Sequence, residues 1–587
     1  MIKEVTEMKK LKDSIRFIGE QLSRSLKRFP VTLIVTAGFV ITAITLAHAD
    51  YDAANREQLE RMLFALAVGI PLTAALTLVV ERLGLTGVKR YGLFGVGVLA
   101  TVGYYFTIPE DYNQYFVMRF LALWAMLFFG FLMAPYFHKR EGLSRYTLHL
   151  VGRFFLTVLF SGVIMGGLSM MVFTIEELFN VNWWDEVYLD LFLVIAGAFS
   201  VTHFLGSVPE INVEVKVEDY SKIFKSLFLY IIIPIVSVYT VILYAYFVKI
   251  LMGFKLPEGI IGNLVLWYAL VSVVTLFFIR DLRDQVKWLD RFYKWYIPAM
   301  IVPLAMLFLA IFVRIDAYGI TMPRYFVVAL AMFSTLGLAI MRFKKGDTAI
   351  ALMILLVIFI AVSFYGGLSG YSLTLWDQNT QLENLLKENS MLDESGNIIA
   401  NPSLSGENQQ QVSEKIEFLL RNYSVEEVAV LPEDFTRDNA KDTLGFELVY
   451  YWHNPNEDGN RIYYYAKEMS RMIDLKGADF MLSTSHYESL VQAGLSSGYT
   501  VSKESDDSLM TFYKDGAVVM TADIHEAAAG FYVDQTKPYV MTSADGSITL
   551  TLDFLSIEGK VVSGGDASNP ADLEIEYFDV RILIELP

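Results

Sequence analysis

The chain has 587 residues, 54% of them hydrophobic, and a mean hydropathy of +0.42, too apolar for an ordinary water-soluble fold. Its net charge of −17 joins two unlike parts: residues 371–587 hold 14 basic and 37 acidic side chains, and residues 1–370 hold 33 and 27. Neither balance suits a nucleic-acid partner, and the lack of cysteine excludes disulfides, thiolate metal sites and cysteine nucleophiles.

Residues 1–29 place Val5, Met8, Leu11, Ile15, Ile18, Leu22 and Leu26 at three- and four-residue steps, with Lys9, Lys10, Lys12, Arg16, Arg24, Lys27 and Arg28 around them. This is the pattern of a cytoplasmic amphipathic helix on anionic lipid; a plain basic tail is the alternative. The first span, Pro30 to about Ala47, runs into Ala47-His48-Ala49, a small-x-small step that signal peptidases cut. The long basic lead fits a retained anchor better.

Further apolar blocks lie near 62–80, 91–108, 116–137, 151–173, 187–206, 226–248, 260–279, 297–313, 325–341 and 348–367. Each has roughly the length that crosses a hydrocarbon core as helix, which makes about 11 transmembrane helices. Lys and Arg alternate from loop to loop. Clusters such as Arg82, Lys89 and Arg90, or Arg280, Arg283, Lys287, Arg291 and Lys294, mark inner loops, whereas 109–115 and 174–186 have none. With the N-terminus inside and an odd number of spans, the positive-inside rule places the C-terminal domain outside.

After Gly366-Gly367 the character changes. DQNTQLENLLKENSM (377–391) and ENQQQVSEKIEFLLRN (407–422) have helical spacing, with Gly396-Asn397 and Asn401-Pro402 breaking the chain between them. Beyond Phe446 the pattern predicts strands in FELVYYW, RIYYYAKE, LMTFYKDGAVVMTADI, YVMTSADGSITLTLDFL and LEIEYFDVRILIEL. Asp515-Gly516 and Asp545-Gly546 are hairpin signals. The reading is therefore a polytopic α-helical membrane protein followed by a soluble α+β domain. Its parts are a cytoplasmic helix at 1–29, a transmembrane domain at 30–367 and an extracytoplasmic domain at 368–587.

Three segments carry a family resemblance: ILYAYFVKILMGFKLPEGI (242–260), DRFYKWYIPAMIVPLAMLFLAIFVRIDAYGITMPRYFVV (290–328) and LWDQNTQLENLLKENSML (375–392). They resemble the bacterial multi-spanning membrane proteins of the domain of unknown function (DUF) 4153 family, most distinctively in the block from Arg314 to Tyr325. The resemblance implies an integral protein of the bacterial cell envelope, in the cytoplasmic membrane. It carries no catalytic, cofactor or binding residues with it.

Arg314, Asp316 and Arg324 bracket a Tyr-Gly turn, and Asp190 and Arg119 each sit just inside a span. A carboxylate in lipid is costly unless paired or wet, so the five form a candidate intramembrane polar cluster, with Asp190 expected to pair with Arg119 or Arg314. Against this, an arginine at a span's end ordinarily snorkels to the headgroups. His203, thirteen residues beyond Asp190, lies about 20 Å away along a helix and reads as a packed histidine. Gly162 and Gly166, and Gly92, Gly95, Gly97 and Gly103 in another span, allow close helix approach, and Pro234, Pro298 and Pro303 would suit broken helices around a solute.

Gly494-Leu495-Ser496-Ser497-Gly498 matches the G-x-S-x-G pattern. A helical look before it and an extended look after it reverse the order a nucleophile elbow needs. His453, His486 and His525 lack metal-ligand spacing. Tyr450-Tyr451-Trp452 and Tyr463-Tyr464-Tyr465 suit strand packing, with an aromatic ligand surface as the alternative. The expectation is a non-enzyme without metal or cofactor, whose partners are the lipid bilayer and an unidentified small solute or envelope protein. Permease-like transport coupled to an external sensing or binding domain leads. A non-transporting scaffold that anchors the outer domain is the alternative.

Overall fold

The computed structural model describes residues 19–50, 55–110, 112–136, 142–179, 186–211, 222–253, 261–283, 285–344, 348–393, 395–448, 461–465, 478–486, 489–495, 498–503, 508–533, 539–561 and 569–586. The chain divides into two compact units, Met1–Gln381 and Leu382–Pro587. The division falls later than the expected boundary at 368, because the first turns of the helix after the last span pack on the first unit.

Among the described residues the regular elements of the first unit are all helices. After α1 (19–28) come α2 (Pro30–Ala47), α3 (Arg56–Leu83), α4 (Gly87–Tyr105), α5 (Gln114–Met133), α6 (Leu143–Phe179) and α7 (Glu186–Gly206). Then follow α8 (Ile223–Ile250), α9 (Ile261–Ile279), α10 (Lys287–Ala299), α11 (Ile301–Tyr318), α12 (Met322–Phe343), α13 (Ala349–Phe364) and α14 (Gly370–Glu388). Among the described residues nine helices, with α10 and α11 taken as one, are long and apolar enough to cross a membrane. The glycine-rich α4 and the shorter α13 account for the two other expected spans. Helix is the form such sequences must take, since lipid offers no partner to a free backbone group.

Several buried threonine hydroxyls are satisfied inside their own helices. Thr36 donates to the Thr32 carbonyl at 2.8 Å, and Thr77 to the Thr73 carbonyl at 2.9 Å. Close helix approach falls on one glycine the sequence suggested, Gly97, where a Cβ would lie 2.5 Å from Leu76 Cδ1, and on others it did not. A Cβ on Gly197 would lie 2.5 Å from Val40 Cγ2, and one on Gly206 would lie 2.1 Å from the Gln21 carbonyl oxygen, whereas nothing lies within 4 Å of Gly162 or Gly166. The α1 segment is thus seated on the end of α7, with Ser25 fully buried; residues 1–18 of the expected amphipathic helix lie outside the described residues. Two helices contain π-helical runs, Leu193–Phe199 in α7 and Leu227–Ile232 in α8. Pro298 precedes a break at Met300 that separates α10 from α11.

The second unit begins within α14, at Leu382; its next long helix is α15 (Gly406–Asn422), whose Val412, Ile416 and Leu419 are buried as the helical spacing requires. Among the described residues nine strands follow: β1 (Arg461–Tyr465), β2 (Phe480–Ser485), β3 (Leu490–Gly494), β4 (Tyr499–Lys503), β5 (Leu509–Lys514), β6 (Ala517–Asp523), β7 (Tyr539–Thr542), β8 (Thr549–Val561) and β9 (Leu573–Glu585). They make two antiparallel sheets, β3-β4-β5-β6 and β1-β8-β9-β2, with β7 pairing the first half of β8. Tyr499, Phe512, Phe554 and Phe578 fill a shared core with α16 (Ile524–Val533).

Both Asp-Gly pairs turn hairpins, β5–β6 and β7–β8; Asp515 and Gly516 take the positive φ of +50° and +84° that such a turn demands. Other elements differ from the reading. Phe446–Leu448 is irregular, the rest of FELVYYW lies outside the described residues, and β2, β3 and α16 were not expected as such, whereas the extended stretch expected after Gly498 is β4. Leu490–Gly494 is a strand and not the end of a helix. The G-x-S-x-G match therefore sits between two strands that pair with each other, and no helix follows it; Ser496 and Ser497 themselves lie outside the described residues.

Candidate functional site

The five polar residues singled out in the sequence occupy three places. The turn at Gly319 holds the first group. Its φ of +77° and ψ of −177° belong to a region that only glycine occupies comfortably. Arg324 Nη1 donates to the Gly319 carbonyl at 2.7 Å and lies over the Tyr318 ring at 5.4 Å, with Arg314 as its like-charged neighbour. Asp316 is exposed and has no partner among the described residues. The charge facing this turn comes from α14, where Asp377 Oδ2 accepts the Ile320 N–H.

Arg119 stands apart, on the first turns of α5. Its guanidinium lies 4.7 Å from the centroid of Tyr365, and its carbonyl accepts the Tyr365 hydroxyl at 2.7 Å.

Asp190 pairs with neither Arg119 nor Arg314. The α2 helix runs antiparallel to α7, which brings His48 to the first turns of α7 and sets Nε2 3.5 Å from Asp190 Oδ2. Nδ1 of the same ring lies 2.9 Å from the Ile44 carbonyl. That carbonyl, and after it the carboxylates of Asp190 and Glu186, raise the affinity of His48 for a proton above the ordinary histidine value. The arginine pairing fails because the nearest basic group was a histidine just past a span. A histidine at that position is a signal the sequence does contain.

A cavity of about 630 Å³ lies between α3, α5, α6 and α7, walled by Pro71, Trp124, Phe128, Phe154, Phe204 and Leu205 among others. Its hydroxyls are already engaged: Thr147 donates to the Leu143 carbonyl at 2.9 Å, Ser200 to the Ile195 carbonyl at 2.8 Å, and Thr157 meets His203 Nδ1 at 2.8 Å. What remains facing the space is hydrocarbon. None of the five polar residues lines it. His203 is buried between Phe160 and Phe199, at 5.4 and 5.7 Å, a packed histidine.

In the second unit the fold brings His486 and His525 together, with His525 Nε2 3.3 Å from His486 Nδ1 and the rings stacked. The buried Lys503 donates to the His486 carbonyl at 2.9 Å. Among the described residues no group of three or more His, Asp or Glu side chains could hold a metal. His453 lies outside the described residues.

Comparison with known proteins bears on the helical unit. The family described as Domain of unknown function (DUF4153) matches residues 33–393, from within α2 to just past α14. The chain belongs to this family. It is also similar to Uncharacterized protein PM1469 of Pasteurella multocida (strain Pm70), 27% identical over 324 residues, which is 54% of each chain. This DUF4153 member therefore spans about half of that relative's length. No solved structure matches. The matched region contains the Gly319 turn, the cavity and most of α2. With its apolar helices, it is the membrane region of the protein.

Proposed function

We propose that this protein is a non-enzymatic, permease-like membrane protein whose cargo is apolar and lipid-like, held in the cavity between α3, α5, α6 and α7. The cavity itself carries the proposal. It has the volume of an ordinary small-molecule site, its hydroxyls are used up within the wall, and Trp124, Phe154 and Val158 both line it and are exposed on the unit's surface. A polar solute would find no partner there, whereas each buried methylene of an acyl chain would contribute about 0.8 kcal/mol. In this reading the protein lies in the bacterial cytoplasmic membrane with its N-terminus inside. The C-terminal unit stands outside as the sensing or binding part.

Photo-crosslinking in nanodiscs with a phospholipid bearing a diazirine on its acyl chain tests the reading. Labelling is expected to concentrate on Trp124, Phe128 and Phe154 and to fall in Ala196→Phe, which fills the cavity. Labelling spread evenly over exposed helix faces and unchanged in that variant would overturn it. One observation favours the scaffold reading instead: Val158, Leu159, Val163, Met170 and Met171 of α6 are all exposed beside the uncontacted Gly162 and Gly166, a surface that suits another membrane helix.

A further inference from the structure

We propose that His48 and Asp190 form a proton-binding site that sets the position of the helix walling the apolar cavity. The coupling half of this inference rests on the cavity reading above; the proton site does not.

A carbonyl oxygen can only accept a hydrogen bond, so Nδ1 of His48, 2.9 Å from the Ile44 carbonyl, must carry a hydrogen. In the neutral ring Nε2 then turns a lone pair toward Asp190 Oδ2 at 3.5 Å, and two lone pairs repel. A proton taken from water onto Nε2 makes the ring an imidazolium facing a carboxylate, and the contact becomes an ion pair. The other carboxylate oxygen, Asp190 Oδ1, is buried without a hydrogen-bond partner. A carboxylate so placed depends on the charge of His48.

The surroundings act in the same direction. Glu186 faces the ring from the start of α7, and Asp50 lies two residues along the chain. On α6, Glu176 accepts the Tyr188 hydroxyl at 2.7 Å. Among the described residues Arg56, at the start of α3, donates to the Ala49 carbonyl at 3.3 Å and pairs with Glu60 at 3.1 Å. The raised proton affinity of His48 agrees with this arrangement. Because the histidine is the group raised, the ion pair is complete below its ordinary range and is lost as pH rises through the higher value.

The site reaches the cavity through α7. One face of that helix takes Val40 of α2 at Gly197, without room for a Cβ. Around the same turns Ala196, Ser200 and Val201 line the cavity. The intervening run Leu193–Phe199 is π-helical, a form that holds an extra residue per turn and is frequent at functional sites. Pulling the first turns of α7 toward α2 or releasing them moves a cavity wall.

The test uses the full chain in nanodiscs. Imidazole titration is followed by NMR with ¹⁵N-histidine, the His48 signal being identified by its loss in His48→Gln. Binding of a fluorescent fatty-acyl probe is measured across the same pH range. His48 is expected to titrate above the ordinary histidine value, to fall back in Asp190→Asn, and to recover in Asp190→Glu. Probe affinity is expected to change roughly five- to tenfold along with that titration, the usual size of coupling between sites, and to be flat in His48→Gln. A His48 that titrates ordinarily and ignores Asp190→Asn overturns the proton site. Probe binding that is independent of pH in the unmodified protein overturns the coupling. A probe that binds at no pH overturns the cavity reading, and with it the coupling, while the NMR titration still decides the proton site.

Discussion

Asp377 Oδ2 accepts the backbone N–H of Ile320 at 2.7 Å, and one residue on, Gln378 Nε2 donates to the carbonyl of Ile320 at 2.9 Å. Two side chains of α14 thus complete both hydrogen bonds of a residue in the α11–α12 turn, as a neighbouring strand would. Gln381 closes the arrangement by donating to Asp377 at 2.7 Å, and Gln378 is 2% exposed. The Arg314–Tyr325 block and the helix after the last span are one structural feature.

Gly319→Ala is expected to be among the most damaging single substitutions in the helical unit. The added Cβ would sit 1.7 Å from Gln381 Nε2 and 2.5 Å from Asp377 Oδ2, and φ of +77° with ψ of −177° costs a non-glycine residue about 1–3 kcal/mol on its own. Thermal unfolding of the purified protein in detergent should show a clearly lowered midpoint, with a smaller loss for Asp377→Asn. An unchanged midpoint in Gly319→Ala would mean that α14 does not clasp this turn.

A second clasp joins α1, α3 and the chain after α7. Arg28 donates through Nε and Nη2 to the two oxygens of Glu81, both at 2.8 Å, and also reaches the Val208 and Pro209 carbonyls. Arg28→Ala leaves Glu81 without that partner in a half-buried setting and should cost about 3 kcal/mol. Because a charge stranded by its partner's removal is the main penalty, Arg28→Met with Glu81→Leu should cost less than Arg28→Ala alone. Unfolding midpoints of the three proteins decide the order.

Spans, hairpins and the α14 and α15 helices were legible because each is written in local pattern: apolar runs of membrane length, Asp-Gly between β-branched stretches, leucines at helical steps. The partners of Asp190 and Arg324 were not, since they are set by which helices neighbour one another. Arg119 and Arg314 are the strong cations at span ends, but the antiparallel packing of α2 on α7 delivers His48 to Asp190 instead. Gly197 and Gly206 carry close contacts for the same reason; of the glycines conspicuous in the sequence Gly97 meets Leu76, while Gly162 and Gly166 meet nothing. The strands β2 and β3 were not legible because Ser, Thr, Gln and Gly dilute their apolar alternation; on β4, whose extended form was legible, the buried Lys503 reaches the His486 carbonyl.

In the second unit Glu417 of α15 is 8% exposed and accepts Arg437 through both oxygens, Nε to Oε1 and Nη2 to Oε2, each at 2.9 Å. Replacing it by Gln keeps the shape but turns one acceptor into a donor facing a guanidinium. A loss of about 1–3 kcal/mol is expected, read as faster hydrogen exchange of the 406–422 amides. Arg421→Ala, whose guanidinium is 3.8 Å from Glu417 and half exposed, should change that exchange little.

The β7–β8 turn should be acid-sensitive in a defined window. Asp545 Oδ1 accepts the hydroxyls of Ser543 and Ser547, both at 2.7 Å, and the Ser547 N–H at 3.0 Å. These bonds, the Ser543 one foremost, lower its pKa to about 2, against about 3.9 for a free aspartate. The group is depressed on folding, so its contribution is whole above about pH 4 and disappears as pH falls toward about 2. Hydrogen exchange of the 539–555 amides, compared between the unmodified chain and Asp545→Asn at each pH, removes the intrinsic pH dependence of exchange. The variant should exchange faster at pH 5, and the two should converge near pH 2. A ratio that stays constant across this range would show that the carboxylate does not hold the turn.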